Sequence, residues 1–439
     1  MRSIVTFLCL IFLVNGIVKS QIESIGVGYI RFTPPSINRN LENDSKMALP
    51  FKFAELIKPK ILINDFATME RNSRAFELLY EIPDAKSLNA LIELESEPTE
   101  FEIIVSDAEG EVDFGSFTND DFTQNLFSTP LVPGDKMLIK VISKSAILPR
   151  LRLVQIGYDY IGIVTKDHHF RTSGPCNIDV NCPQGNNWQI EKRAIVRLII
   201  DNNWLCTGSF INNLRGDKRP YLLTANHCVG DSLFAAKTTA YFNYESPSCN
   251  GIDGRTSQLR TGFWLRSTKH DSEGNLDFSL LELKTTIPPI FETPLIGWDA
   301  SGRVPANTIT IHHPHGDVKK ISFDNDSPIR ATYPFEGDYD AYSHWKIGAW
   351  EEGTTEGGSS GSPLFDQNQN VIGVLTGGEA ACGNTLSDYY AQLAYAWDTY
   401  PDSSQQLKYW LNPDGLPTRV CNILGINDFP QGRDITDNM

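Results

Sequence analysis

Three short segments of the chain carry the residue types that nucleophilic catalysis requires. His227 follows the apolar run Tyr221–Ala225, Asp277 stands at the head of another apolar run, and Ser360 lies in the glycine-rich turn Gly357–Pro363. A serine hydroxyl is a weak nucleophile until a base accepts its proton, and that base needs a buried acid to hold its tautomer. The three segments together predict a Ser-His-Asp catalytic triad.

The glycines of the turn around Ser360 have a separate use. A backbone that is free to adopt positive φ can direct its N–H groups towards a developing oxyanion, and we expect those of Gly358 and Ser360 to do so. Each segment alone has an ordinary explanation as a structural histidine, a turn acid or a linker. Their occurrence in the order His, Asp, Ser, 50 and 83 residues apart, favours catalysis.

The elements that would position these residues are short strands. From Ala194 onwards, brief apolar runs alternate with turns, which is typical of antiparallel barrels or sandwiches. Upstream, the runs Phe101–Val105 and Met137–Ile142 predict a small β-sandwich. The fold class is therefore all-β. The C-terminal region adds one predicted helix, with Asp402 or Ser403 as its cap, an apolar face of Leu407, Trp410 and Leu411, and an end at Asn412-Pro413.

Composition limits the partners and the location. The chain has 439 residues and a formal net charge of −16, which disfavours binding to nucleic acid or to an anionic membrane surface. Residues 1–20 have a cationic start, an apolar core and small residues before a cleavage point after Ser20, so they predict a signal peptide. No later run of about 18 apolar residues occurs. We expect a secreted protein.

The cysteines divide the chain. Cys9 would leave with the signal peptide, and the seven others all lie beyond residue 175. In an exported protein they predict three disulfides and one odd cysteine. We accordingly expect a β-rich unit at 21–170, a cysteine-stapled domain at 171–413 and a tail at 414–439. Pairing Cys206 with Cys228 would close a loop of roughly 20 residues beside His227, a contribution of ~3 kcal/mol to stability.

Residues 176 to about 413 resemble the trypsin-like serine endopeptidases of two-barrel fold, and specifically the bacterial lysyl endopeptidases. The segments that carry the resemblance are Cys176–Pro183, Cys206–Ser209, Thr224–Cys228, Leu276–Leu283, Ile311–Pro314, Gly358–Pro363 and Ser387–Tyr389. The resemblance implies two six-stranded antiparallel barrels, with His227 as general base, Asp277 as its orienting acid and Ser360 as nucleophile. It also implies the disulfides Cys176–Cys382, Cys182–Cys249 and Cys206–Cys228, and leaves Cys421 unpaired.

The resemblance further implies a specificity pocket for a cationic side chain. Asp388 matches the acid that recognises lysine in this family, and the pocket wall corresponds to Thr376, Gly377 and Gly378. Thr376 departs from the family, since a lysine-specific relative has a histidine there. That relative also has a tryptophan beside the pocket, and the candidates for its counterpart in this chain are Tyr333, Trp345 and Trp350. We therefore predict cleavage of protein and peptide substrates after Lys, with Arg also accepted.

The resemblance implies that residues 21–170 are a prodomain, and latency is predicted to reside in it. The residue before the nucleophile is Ser359, so the acid that pairs with a new N-terminus in many trypsin-like enzymes is absent. We expect residues 21–170 to act as an intramolecular inhibitor or folding aid until cleavage near Arg171, or at Lys166.

Two alternatives to a lysine-specific enzyme remain open, and one histidine cluster raises the question of a metal site. The alternatives are a glutamyl endopeptidase of the same fold and a non-catalytic pseudo-protease that only binds. The cluster His312, His313 and His315 is interpreted as a structural loop rather than a metal site, because Pro314 fixes a turn between rings that point apart. We expect neither a metal nor a cofactor.

Overall fold

A computed structural model describes residues 17–19, 27–37, 50–65, 75–95, 100–143, 148–164, 172–270, 275–335 and 338–425. Several features predicted above lie outside these ranges. They are the core of the signal peptide and its cleavage point, the candidate processing residues Lys166 and Arg171, and most of the predicted tail.

Strands dominate the described chain, which confirms the all-β class. Lys136–Ser143 alternates half-buried and buried residues along its whole length, the period-two pattern of a strand with one face on a core. Asn275–Leu283 is buried at all nine positions, as expected of a central strand covered on both faces.

The chain separates into two compact units. The first is drawn from residues 1–37, 55–119 and 129–166, and the second from 38–54, 120–128 and 167–439. Two segments from the amino-terminal third of the sequence thus belong to the second unit. The first thirteen strands are β1 Ile17–Lys19, β2 Val27–Phe32, β3 Phe51–Lys52, β4 Ala54–Ile57, β5 Ile61–Leu62, β6 Ala75–Glu81, β7 Ser87–Leu94, β8 Phe101–Ser106, β9 Asp113–Phe117, β10 Leu126–Ser128, β11 Val132–Pro133, β12 Lys136–Ser143 and β13 Leu151–Asp159.

The first unit contains two sheets. One has the strand order β1-β2-β6-β12-β8-β9, and the other has the order β7-β13-β4, with β11 added to β7 and β5 added to β13. In the first sheet β12 pairs antiparallel with both β6 and β8, whereas β2 and β6 are parallel.

The second unit also contains two sheets. Its remaining strands are β14 Ile178–Asp179, β15 Ile195–Ile200, β16 Trp204–Ile211, β17 Tyr221–Thr224, β18 Thr238–Tyr241, β19 Leu259–Thr261, β20 Phe263–His270, β21 Asn275–Leu283, β22 Trp298–Asp299, β23 Thr308–His312, β24 Lys320–Asp324, β25 Ile329–Ala331, β26 His344–Ile347, β27 Pro363–Asp366, β28 Val371–Gly378, β29 Asp388–Gln392 and β30 Val420–Cys421. One sheet has the order β19-β18-β15-β16-β17-β21-β20, with β3 on β16. The other has the order β14-β24-β23-β27-β28-β29-β26-β25, with β22 on β28 and β30 on β22. Short edge strands bring both sheets above the six strands that the resemblance implied.

One hydrophobic core joins the two sheets of the second unit, because it contains residues of β15, β17 and β21 together with residues of β27 and β28. Trp298 and Trp397 meet in it with ring centroids 4.9 Å apart. The indole N–H of Trp298 donates to the Asn212 carbonyl at 2.7 Å, so this large buried side chain leaves no donor unsatisfied. The shared core fixes one sheet against the other, and the predicted catalytic residues come from both.

Helices are few and short. They are α1 Ser232–Ala236, α2 Leu393–Asp398 and α3 Lys408–Leu411, and none of the helices in the described ranges has the length and apolar character needed to cross a bilayer. The continuous helix predicted near the C-terminus is divided. Asp402 caps a 3-10 turn at Ser403–Gln405, Gln406 is extended, and α3 follows. Leu407 and Leu411 nevertheless pack into the core.

Three disulfides staple the second unit: Cys176–Cys382, Cys182–Cys249 and Cys206–Cys228. This is the pairing that the resemblance implied. Cys421 is free and buried, and burial raises the pKa of its thiol to about 12.

Candidate active site

His227 and Asp277 lie together because their strands are neighbours. β17 pairs with β21, Thr224 opposite Ser279, so the end of one strand meets the beginning of the other. Nδ1 of His227 is 2.7 Å from Oδ2 of Asp277, and the backbone N–H of His227 donates to Oδ1 at 2.9 Å. The carboxylate therefore holds both the ring and the backbone of the histidine. With Nδ1 carrying a proton towards Asp277, Nε2 is left as the basic nitrogen.

Asp277 is anionic in this setting. Burial alone would raise the pKa of its carboxyl, but the electrostatic attraction of His227 and its two hydrogen bonds outweigh burial and hold the pKa below the usual range. A buried carboxylate in this position balances the charge that His227 gains when it accepts a proton.

Ser360 sits in a turn that is held from both sheets. The N–H of Thr207, on β16, donates to the Ser360 carbonyl at 2.8 Å, and the N–H of Gly361 donates to the carbonyl of Leu375, on β28, at 2.9 Å. Gly361 has φ +81°, and a Cβ there would lie 2.2 Å from Thr224 Oγ1. Only glycine fits, and the turn consequently packs against the strand end that leads to His227.

The serine is beside the His-Asp pair without being bonded to it. No hydrogen bond between Ser360 Oγ and His227 occurs within the described ranges, and His227 Nε2 lies 3.7 Å from the disulfide sulfur of Cys228. Catalytic hydrogen bonds are often long in unliganded structures and shorten when substrate binds.

The backbone N–H groups of Gly358 and Ser360 are predicted to bind an oxyanion. Gly358 has φ +87°, and its carbonyl accepts a hydrogen bond from Thr207 Oγ1 at 2.9 Å. Among the hydrogen bonds of the described chain, none uses the N–H of Gly358 or of Ser360. Both donors remain for a ligand oxygen.

Thr207 is the positioning residue that the sequence did not single out. Besides the two bonds to the serine turn, its Oγ1 accepts the N–H of His313 at 3.1 Å and its carbonyl accepts the hydroxyl of Thr224 at 2.9 Å. The side chain is fully buried. The only sequence signal was its place within Cys206–Ser209, a segment noted for the resemblance.

Asp388 is a buried carboxylate at the start of β29, opposite Gly378. Its Oδ2 accepts the hydroxyl of Thr355 at 2.6 Å and the indole N–H of Trp350 at 2.7 Å. A Cβ on Gly378 would lie 2.3 Å from Asp388 Oδ1, so this glycine makes room for the acid. Burial raises the pKa of Asp388, and no cation of the described ranges forms an ion pair with it.

Thr376, on the predicted pocket wall, hydrogen-bonds His344. Its Oγ1 is 3.1 Å from Nε2 of His344, whose Nδ1 is 2.9 Å from the hydroxyl of Ser343. His344 is fully buried, and burial lowers its pKa to about 4. Tyr333 packs on it at 5.6 Å between ring centroids. Of the three candidates for the family's flanking tryptophan, Trp350 contacts Asp388, Tyr333 contacts His344, and Trp345 packs in a small core with Leu375 and Tyr390.

The three loop histidines have separate partners. His312 Nδ1 is 2.7 Å from the hydroxyl of Ser359, His313 Nδ1 is 2.9 Å from the Asp317 carbonyl, and His315 Nδ1 is 3.1 Å from the Thr172 carbonyl. Burial lowers the pKa of His312 to about 3, so the ring is neutral. Ser359 stands where many trypsin-like enzymes have the acid that pairs with a new N-terminus. In this protein Ser359 instead forms a hydrogen bond with the uncharged ring of His312.

With this geometry established, similarity to known proteins decides the family. Residues 170–391 match the family described as lysyl endopeptidase, C-terminal domain. The chain belongs to the lysyl endopeptidase family.

The relatives of this lysyl endopeptidase family member are distant. Lysyl endopeptidase of Pseudomonas aeruginosa is 27% identical over 288 residues, 61% of this chain and 60% of that protein. Secreted RxLR effector protein 73 of Plasmopara viticola is 26% identical over 210 residues, 45% of this chain and 47% of that protein. The chain therefore spans less than two thirds of the length of both relatives.

Solved structures also resemble the chain. The Rv3671c protease from M. tuberculosis in its active form aligns with 51% of this chain and 88% of its own, at a TM-score of 0.32 and 16% identity. The HtrA-type protease AlgW with tripeptide aligns with 46% of this chain and 57% of its own, at a TM-score of 0.31 and 15% identity.

The buried charge of Asp388 predicts a pH-dependent stability. Because its pKa is raised on folding, the folded state binds more protons than the unfolded state above the ordinary carboxyl pKa of about 3.9, and stability falls as pH rises through that window. Asp388→Asn removes this cost and keeps an acceptor oxygen for Thr355 and Trp350. In a Ser360→Ala background, urea unfolding should show equal stability near about pH 3 and a more stable Asn variant near about pH 7. Asp326→Asn, at an exposed position, is the control. A variant no more stable at neutral pH would contradict the assignment.

Proposed function

We propose that this protein is a secreted serine endopeptidase, made as a zymogen, which hydrolyses peptide bonds after lysine and also accepts arginine. One observation supports the proposal: within the described ranges the buried carboxylate of Asp388 has no cationic partner, and its strand β29 pairs with β28, whose Leu375 carbonyl holds Gly361 of the Ser360 turn. In a protease the buried acid would bind a cationic substrate side chain, and the N–H groups of Gly358 and Ser360 would bind the oxyanion.

The mechanism follows from the positions of these groups. Nε2 of His227 takes the proton from Ser360 Oγ as the oxygen attacks the scissile carbonyl, and the N–H groups of Gly358 and Ser360 bind the resulting oxyanion. His227 then gives the proton to the leaving amine, and an acyl group remains on Ser360. Water, activated by His227 in the same way, releases the acid product. Asp277 stabilises the imidazolium in both steps.

Substrate choice follows from charge. A lysine or arginine side chain supplies the cation that Asp388 lacks, whereas a glutamate would bring a second negative charge into a buried site. This disfavours the glutamyl alternative. The non-catalytic alternative is disfavoured by the basic nitrogen of His227 and by the two oxyanion donors that remain free for a ligand.

Replacing the nucleophile or the base tests the catalytic assignment. Ser360→Ala or His227→Ala, once its precursor has been cleaved by an added protease that is then removed, should lower kcat by roughly 10⁴ to 10⁶ relative to the processed wild type, because the triad acts as a unit. The circular dichroism spectrum of the processed domain should stay unchanged. Ser404→Ala, at an exposed position, is the matched control. Near-normal turnover in Ser360→Ala would refute the mechanism, and the absence of any proteolysis by processed wild-type protein would favour the pseudo-protease.

Replacing the pocket acid tests specificity. Mass spectrometry of peptides cut from one denatured protein should show cleavage after Lys and, more slowly, after Arg. Asp388→Asn should weaken transition-state binding of lysyl substrates by roughly 3–5 kcal/mol, the scale of breaking a buried charge pair, which is about 10² to 10⁴ in kcat/KM. Ester or amide substrates with an uncharged side chain at the same position are the control. Cuts mainly after Glu, or an indifferent variant, would contradict the proposal.

The proposed activation is the removal of the amino-terminal segments by proteolysis. Residues 1–20 direct export, residues 21–170 impose latency or assist folding, and cleavage near Arg171 or Lys166 releases the domain at 171–413. A basic processing residue suits an enzyme that processes itself, so Ser360→Ala should accumulate as an unprocessed precursor. Sequencing the N-terminus of the active protein measures this. A fully active enzyme that still begins near Gln21 would refute it.

A further inference from the structure

A strand from the amino-terminal third of the sequence extends one of the catalytic sheets. β3 pairs antiparallel with β16, with Phe51 opposite Leu205 and Lys52 opposite Trp204. The N–H of Phe53 adds a bond to the carbonyl of Asn203 at 3.0 Å. This is the manner in which an extended peptide adds to a sheet edge.

The strand lies close to the nucleophile. Leu205 is two residues before Thr207, whose N–H binds the Ser360 carbonyl, and two residues of strand span roughly 7 Å. The Phe51 ring packs against His315 with centroids 4.9 Å apart. It also covers Gly357, where a Cβ would lie 3.1 Å from the ring.

The two backbone hydrogen bonds of the serine turn indicate on which side of Ser360 the substrate residues after the scissile bond lie. Gly361 is bonded to Leu375 on β28, the strand that continues into Thr376–Gly378 and the Asp388 pocket. Ser360 is bonded to Thr207 on β16. A substrate whose lysine enters the Asp388 pocket must cross Ser360 towards β16, because the pocket strand occupies the other side. The residues after the scissile bond therefore run along the edge that β3 now covers.

We propose that, in the precursor, residues 51–53 occupy the edge Asn203–Leu205 and the seat formed by His315 and Gly357, and so exclude the leaving-group half of a substrate from this part of the cleft. Phe51 is the anchor, buried to 9% exposure between the two seat residues. The same seat would take a bulky apolar side chain of an extended peptide. This inference rests on the proposed protease function and assigns residues to its latency.

The test uses the full chain carrying Ser360→Ala, so that neither processing nor cleavage occurs. Two labelled peptides are titrated by fluorescence anisotropy: one ends at its lysine, and the other continues for three residues with a phenylalanine among them. Adding Phe51→Ala should raise the affinity for the longer peptide at least tenfold and leave the shorter one unchanged. Lys52→Ala, which alters the opposite face of the same strand, should raise neither affinity tenfold.

A second measurement does not depend on the folding of a variant. A synthetic peptide of residues 48–56 should inhibit the processed wild-type enzyme competitively towards substrates that extend beyond the scissile bond, and a peptide with Phe51→Ala should inhibit at least tenfold less. If the enzyme is active but both the anisotropy and the inhibition are indifferent to Phe51, this inference is wrong and the proposed function stands. If the processed enzyme cleaves nothing, the proposed function itself is wrong.

Discussion

Thr207 is the constraint on which the arrangement of this site depends. Its N–H and hydroxyl bind the carbonyls of Ser360 and Gly358, and its own carbonyl binds the side chain of Thr224, at the end of the strand that leads to His227. One buried residue thus fixes the turn of the proposed nucleophile relative to the proposed base. A threonine can do this because it supplies a donor and an acceptor from its side chain in addition to those of its backbone.

The two buried carboxylates of the site illustrate how one chemical group serves two purposes. Asp277 accepts hydrogen bonds from the ring and the backbone of His227, and its pKa is lowered. Within the described ranges Asp388 receives only neutral donors, from the side chains of Thr355 and Trp350 and the backbone of Ala380, and burial raises its pKa. The first arrangement favours a permanent anion that supports a base. The second leaves the desolvation free energy of a buried negative charge uncompensated. A cationic substrate side chain would compensate it, so part of the binding free energy would come from a charge that is buried when the protein folds.

Sequence reasoning was best supported where the signal was local. The residue types and turn chemistry around His227, Asp277 and Ser360 lie in short segments, and strand pairing brings the first two together. Contacts between distant segments were out of reach: nothing in the local pattern joins Thr376 to His344, or the two-residue strand at Phe51 to β16. The C-terminal helix was predicted from its cap and apolar face, yet Gln406 interrupts it because burying Leu407 and Leu411 does not require a continuous helix.

The buried thiol of Cys421 bears on how the three disulfides persist. Exchange between thiols and disulfides proceeds through the thiolate, and a thiol whose pKa is raised to about 12 is almost never in that form near neutral pH. The odd cysteine sits in the same core as Cys206 and Cys228, so once that core has closed it is both inaccessible and chemically silent. The native pairing is consequently protected from scrambling by the packing of the domain, without a fourth bridge.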